Sequence, residues 1–174
     1  MARVLRGVVD VPTDLEIDIS EAGPIFNYNE VSAMDNKRLQ LAVNANKGPL
    51  AAMCKAVEAR LREIGILHDE HHADEWALLI SEPGCQRQHW HTDYDPKALQ
   101  RLDVVPLILL LGLESGTRLH VDDGLVELGP GDVAVMRGDT VHAGAAYAER
   151  NVRLHAYADV AGVDRAPDTV HLVY

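Results

Sequence analysis

Cysteine is nearly absent: only Cys54 and Cys85 occur in 174 residues, and neither stands in a Cys-x-x-Cys or Cys/His zinc spacing. A disulfide framework and a structural zinc finger are thereby excluded, and both residues are expected to be reduced thiols of an intracellular protein. Aromatic residues make up only 5% of the chain, so the core has to be built from valine, leucine, isoleucine and alanine. Basic residues are outnumbered, 16 against 27 acidic ones, which gives a formal net charge of -11 with no Lys/Arg run anywhere. Such a balance argues against a main task of gripping nucleic acid or an anionic membrane, and its simplest consequence is solubility. Long hydrophobic runs are missing too. The longest, Val104 to Leu113, contains Pro106 and Gly112 and is far too short to cross a bilayer. The opening MARVLRGVVDVPTDLEID lacks the apolar stretch of a signal sequence, so the expected location is the cytoplasm. No internal repeat or low-complexity segment interrupts the chain.

What is present suits one domain over 1–174, with 1–75 as helical N-terminal support and 76–174 as the core. A hydrophobic fraction of 47% is normal for a globular chain, and the length suffices to bury a core without staples. Pro49 follows Gly48 at a helix start, and LAAMCKAVEARLREIGI puts Leu50, Met53, Cys54, Val57, Leu61 and Ile64 on one face. That helix is expected to end near Gly65, and residues 34–45 suggest a shorter one. After HDEHHADE the period changes. WALLISEP, QRQHWHTDY, LDVVPLILLLGL, GTRLHV, GLVELG, DVAVMR and NVRLHAYADV read as short strands separated by turns such as Pro83-Gly84, Asp95-Pro96 and Gly129-Pro130-Gly131. Asp123-Gly124 marks a hairpin, and Pro106 makes VVPLILLLGL a buried strand rather than a helix. The expected fold is mainly β: a double-stranded β-helix (a jelly roll of cupin-like type) with N-terminal helices packed on one outer face.

Three His-x-Asp tripeptides occur, against about 0.8 expected from the composition, so context has to choose among them. His72/Asp74 lies in a polar link and His120/Asp122 at a hairpin end, where turn chemistry accounts for them. His91/Asp93 follows the Pro83-Gly84 turn inside a β-like segment, and a period of two puts His89, His91 and Asp93 on one face. Ligands at i and i+2 need such a strand, because both side chains then project toward the same point. Further on, the strand DVAVMR leads through a turn at Gly138-Asp139 to His142, which a hairpin can return to the interior opposite His91. Two imidazoles and one carboxylate can occupy one face of an iron(II) ion and leave open positions for oxygen and a co-substrate. Arg153 adds a charge suited to gripping a carboxylate.

The set His91-x-Asp93, His142 and Arg153-x-His155 resembles the signature of the iron(II)/2-oxoglutarate-dependent dioxygenases, in the family's order, over residues 76–160. GDTVHAGAAYAERNVRLHAYAD is also similar to the C-terminal part of phytanoyl-CoA-hydroxylase-like and uncharacterised small members. In many members the arginine is followed two residues later by serine, and here that position is His155. The resemblance implies a double-stranded β-helix in which His91, Asp93 and His142 hold Fe(II) and carry catalysis. Arg153, with His155 beside it, would bind the co-substrate 2-oxoglutarate. It implies O2-dependent oxidation, by hydroxylation, of a C–H bond with release of succinate and CO2. Asp93 argues against halogenation, because halogenating members replace the acid with a small residue.

Two other readings stay open. GDVAVMRGDTVH resembles the second motif of the cupins, which would use His89, His91, a later acid such as Asp95, and His142 as an isomerase or cofactor-free dioxygenase. A non-catalytic jelly-roll binding protein is the other. Among lesser positions, Trp90 and Thr92 are expected to face away from the metal, Trp90 in the core against the N-terminal helices. Tyr94, Arg87, Arg118 and His120 are candidates for the mouth of the site. With no basic patch or accessory domain, the expected substrate is a small molecule or an exposed side chain.

Overall fold

A computed structural model describes residues 2–25, 37–44, 47–73, 75–122, 124–163 and 170–173. The strands are β1 (Arg3–Leu5), β2 (Gly23–Pro24), β3 (Arg38–Ala42), β4 (Trp76–Ser81), β5 (His91–Thr92), β6 (Leu107–Gly112), β7 (Thr117–Val121), β8 (Gly124–Leu128), β9 (Val133–Arg137), β10 (His142–Gly144), β11 (Asn151–Ala158) and β12 (His171–Leu172). The helices are α1 (Gly48–Glu63) and α2 (Pro96–Leu99). A seven-stranded sheet runs β1-β9-β6-β11-β4-β3-β2 and a five-stranded one β12-β5-β10-β7-β8, with every named pairing antiparallel. From β4 to β11 the chain passes back and forth between the sheets. β4, β6, β9 and β11 end up side by side in the large one, and β5, β7, β8 and β10 in the small one. That is a jelly roll.

The period of two in the strand sequences sorts the side chains into two cores. On β11, Val152, Leu154, Ala156 and Ala158 face outward, joining Leu78 and Ile80 of β4, Leu109 and Leu111 of β6, and Met53, Cys54, Val57 and Leu61 of α1. Between the sheets lie Ile108 and Leu110 of β6, Leu119 and Val121 of β7, Ala134 and Met136 of β9, and Tyr94. β6 is thus covered on both faces, which is why its sequence reads as an unbroken apolar run. α1 is fastened to the sheet by the Trp76 indole N–H, which donates to Glu58 Oε1 at 2.8 Å. Its last turn carries Arg60 and Arg62, favourable beside the negative end of the helix dipole. β7 and β8 pair as a hairpin, with Val121 opposite Gly124 and Asp122 at φ +48°; Asp123 of the expected Asp123-Gly124 turn lies outside the described residues.

The cover of the outer face differs from the expectation. Among the described residues α1 is the only helix before β4, and the rest of the cover is an extended strap over residues 2–22. Leu5, Val8, Val9, Val11, Leu15, Ile17 and Ile19 pack from it against the outer core. Of the helix expected over 34–45, residues 34–36 and 45 lie outside the described residues, and the stretch between carries strand β3. RLQLA alternates strictly: Leu39 and Leu41 pack on the outer core while Arg38 is buried on the other face. A charged residue in a buried position hides this period from a hydrophobicity reading. Trp90 is also not core. It is half-buried, with Arg87 over its ring and His120 edge-on at 6.0 Å. Tyr94 is buried and donates to Asp159, so it does not line a mouth. No described helix is long and apolar enough to cross a membrane.

The strap is held at Gly131. Val8 N–H donates to the Gly131 carbonyl at 2.8 Å, and Asp132 accepts from Gly7 N–H at 2.9 Å. Gly131 has φ +82°, and a Cβ there would lie 2.1 Å from the Val9 carbonyl oxygen. The left-handed backbone alone costs a non-glycine residue about 1–2 kcal/mol, and the strap would also have to move. Gly131→Ala is therefore expected to lower unfolding free energy by about 2 kcal/mol or more. Urea unfolding measures it, and a loss under about 0.5 kcal/mol would show that the strap does not depend on this approach.

Candidate metal centre

β5 and β10 lie next to each other in the small sheet, and their register places His142 directly opposite His91. Opposed residues in an antiparallel pair project from the same face, so both imidazoles enter the space between the sheets, with ring centroids 4.4 Å apart. Each ring is oriented by its own chain: His91 Nδ1 lies 2.7 Å from the His89 carbonyl oxygen and His142 Nδ1 lies 3.0 Å from that of Thr140. A carbonyl can only accept, so both Nδ1 atoms carry the proton and both Nε2 lone pairs are left to bind a cation.

Asp93 follows β5, where the chain turns toward α2. Tyr94 N–H donates to the Gly138 carbonyl and Thr92 Oγ1 donates to the Tyr94 carbonyl. The Tyr94 ring packs so closely on Gly138 that a Cβ there would lie 2.4 Å from it. The bend brings Asp93 Oδ1 to 3.7 Å from His91 Nε2 and Asp93 Oδ2 to 3.7 Å from His142 Nε2. Ligand atoms of the three residues lie within 4.8 Å of one another, and all three side chains are buried. Donors at adjacent corners of an octahedral ion stand about 3 Å apart at ordinary bond lengths, so the set fits a six-coordinate divalent metal on three protein ligands. Among the described residues it is the one such group.

Burial, reinforced by the neighbouring His142, pushes the His91 pKa down to about 4 from its usual 6.5, against the opposing pull of Asp93. The ring is therefore neutral and ready as a ligand at physiological pH. The other candidates fall elsewhere. His89 is exposed and contributes its carbonyl. Asp95 is exposed and caps α2, its carboxylate accepting from Lys97 N–H at 2.9 Å. Asp122 sits at the β7–β8 turn and Asp74 lies outside the described residues.

Arg153 is on the inner face of β11, buried with 5% exposure. Its Nη1 donates to Ser81 Oγ at 3.0 Å, and its guanidinium stands 5.6 Å from the centre of the Tyr147 ring. No carboxylate of a described residue reaches it. His155 shares that inner face but stacks edge-on against Tyr157 at 4.6 Å. Two residues that the sequence did not single out complete the region. Arg38, 1% exposed, donates from Nη1 to Ser81 Oγ at 3.0 Å and from Nη2 to the carbonyls of Gln86 and Ala145 at 2.7 Å. Ser81 is fully buried between the two arginines. The only sequence signal for either was an arginine and a serine on inward positions of apolar strands. Arg118, expected at the mouth, packs on Tyr147: its guanidinium lies 5.4 Å from that ring's centre and donates to the Ala146 carbonyl. Beyond it opens a recess of about 310 Å3 lined by Arg118, Glu127, Glu149 and Arg150 among others.

A free histidine in an unfolded chain takes up a proton near pH 6.5, whereas folded His91 does so only near pH 4. Between those values the unfolded chain binds more protons, so stability is full above pH 6.5 and falls as acid is added through the window. At about 1.4 kcal/mol per pH unit the loss from this residue is at most about 3 kcal/mol. Urea unfolding of metal-free protein at pH 7 and pH 4.5 is expected to show this loss, and His91→Gln to show a smaller one. Equal losses in both proteins would remove His91 as the cause.

No family model and no curated protein matches the sequence. The fold, by contrast, matches solved structures. A viral collagen prolyl hydroxylase from Paramecium bursaria Chlorella virus-1, in its 2OG complex, aligns with a TM-score of 0.63 at 12% identity, covering 91% of this chain and 96% of that one. The non-haem α-ketoglutarate-dependent epimerase SnoN from nogalamycin biosynthesis gives 0.61 at 13% identity, over 99% and 91%. HygX from Streptomyces hygroscopicus, with nickel and 2-oxoglutarate bound, gives 0.58 at 11% identity, over 97% and 92%. The resemblance read from the sequence and the fold agree: the chain has the fold of iron/2-oxoglutarate-dependent oxygenases.

Proposed function

We propose that the protein is an Fe(II)- and 2-oxoglutarate-dependent dioxygenase that hydroxylates a C–H bond of a small molecule or an exposed side chain, releasing succinate and CO2. The observation that carries this reading is one interior space holding both a convergent His91–Asp93–His142 set and a buried Arg153 with no described acid partner. In this reading His91, Asp93 and His142 hold the metal, and Arg153 binds the distal carboxylate of 2-oxoglutarate, with His155 lining the same pocket wall. When bound, iron and the keto acid together activate O2 for the oxidation of the substrate.

The chain's own residues do the rest. Two neutral imidazoles and one carboxylate leave a divalent ion with net positive charge, which favours an anionic chelator in its open positions. Arg153 fixes the far end of that chelator and, being buried, holds it in a low-dielectric setting where a charge-assisted bond is strong. The two Nδ1–H bonds to backbone carbonyls keep both rings from turning when the chelator enters or leaves. Asp93 keeps the third ligand position filled by oxygen, so halogenation is not part of the proposal. Two buried, unpaired thiols, with Cys54 pushed up to about 12 by burial, accord with a cytoplasmic location.

The structural neighbours include a prolyl hydroxylase and an epimerase, so one fold serves different outcomes and the substrate is set by what lies over the metal. A cupin-type reading needs His89 and Asp95 as ligands, and an exposed His89 and a helix-capping Asp95 do not support it.

Anaerobic titration with Fe(II) and then 2-oxoglutarate is expected to raise a visible metal-to-ligand charge-transfer band. His142→Ala should abolish it, and Arg153→Ala should raise the 2-oxoglutarate needed by about 10- to 100-fold. Tight iron binding without the band would favour the cupin-type metalloenzyme instead, and no iron binding would leave a non-catalytic jelly-roll binding protein.

A further inference from the structure

The hydrogen bonds around Ser81 do not close within the protein. A hydroxyl has two acceptor lone pairs and one donor proton. Both lone pairs of Ser81 Oγ are taken, one by Arg38 Nη1 and one by Arg153 Nη1, each at 3.0 Å. The O–H proton must therefore be donated, yet no described residue accepts it, although the residue is fully buried. A buried donor without an acceptor is costly, and it stands against a guanidinium that itself lacks a described carboxylate. Both deficits are met by a single ligand bearing a carboxylate at this place.

We infer that Ser81 is a carboxylate-binding residue, a specificity determinant for a keto acid with a distal carboxylate, and that Arg38 is the positioning residue that turns its hydroxyl into an obligate donor. The inference rests on the 2-oxoglutarate reading above. Position 155, two residues after Arg153 on the same strand face, is histidine and packs on Tyr157. The hydroxyl comes instead from the neighbouring strand, where β4 runs antiparallel to β11 and the inward residue Ser81 lies across from Asn151. Arg38 in turn is fixed by the carbonyls of Gln86, in the loop leading to β5, and of Ala145, just after β10. Its position is thus tied to both strands that bear the histidine pair.

The test compares two keto acids on nickel(II)-loaded protein by calorimetry: 2-oxoglutarate, and 2-oxobutyrate, which chelates alike but has no distal carboxylate. Ser81→Ala is expected to weaken 2-oxoglutarate by about tenfold and to leave 2-oxobutyrate unchanged. Arg38→Lys, which keeps the charge but loses the fork that reaches both Ser81 and the carbonyls, is expected to lower the same ratio of affinities. Ser81→Cys, close to isosteric and a weak donor, should fall between wild type and Ser81→Ala, and it serves if the alanine variant does not fold. An unchanged ratio in these variants overturns the inference, as does a parallel loss of both keto acids, which marks a structural role only. Failure of the wild-type protein to bind 2-oxoglutarate at all would instead overturn the proposed function, so the two failures are distinguishable.

Discussion

The pairing of β5 with β10 is the constraint on which the centre depends. These strands are two and three residues long, and their contact sets His91 opposite His142. A shift of one residue in that register would send one imidazole to the outer face of the small sheet, where Trp90 and His120 lie, and the metal site would be lost. So short a pair cannot hold its own register. It is held from outside by β7, which pairs with the other edge of β10, by the Gln88 side chain accepting from Gly144 N–H at 2.9 Å, and by the Arg38 clamp on the carbonyls around it.

The large sheet plays the complementary part. Its outer face is closed by α1 and the N-terminal strap. Its inner face carries Ser81 on β4, Arg153 on β11 and Arg38 on β3, side by side through antiparallel pairing. The jelly roll thus brings a cation-binding set on the small sheet and a cationic, donor-rich set on the large one into a single interior. The two sets are chemically opposite: one suits a metal ion and the other an anion, and in the proposed reading a keto dicarboxylate that chelates the metal would link them.

Burial does the electrostatic work in each set. It keeps His91 neutral over the physiological range, which a metal ligand needs, and it strengthens whatever Arg153 binds by removing competing water. The same burial makes incomplete sets expensive, and this is why the open hydrogen-bonding capacity at Ser81 and Arg153 carries information about a ligand.

Much of this was legible along the chain, because some signals are local. The period of α1, the apolar run of β6, the Asp123-Gly124 hairpin and the i, i+2 spacing of His91 and Asp93 each follow from a few adjacent residues and fixed backbone geometry. His142 and Arg153 were legible only through order and spacing. What no local signal carried was the identity of residues placed by long-range pairing. Arg38 lies in a stretch that reads as a helix, and Ser81 is one serine at the end of an apolar strand. Trp90 and Tyr94 exchanged their expected places because which face of a short strand is buried depends on what packs above it. The sequence by itself determined the ligand types and the strand periods, since these reside in side-chain chemistry and in repeats of two and 3.6 residues. Only the tertiary structure decided which strands became neighbours, and hence which arginine, which serine and which histidines came to share one interior, because sheet partners 43 to 72 residues apart are chosen by the packing of the whole.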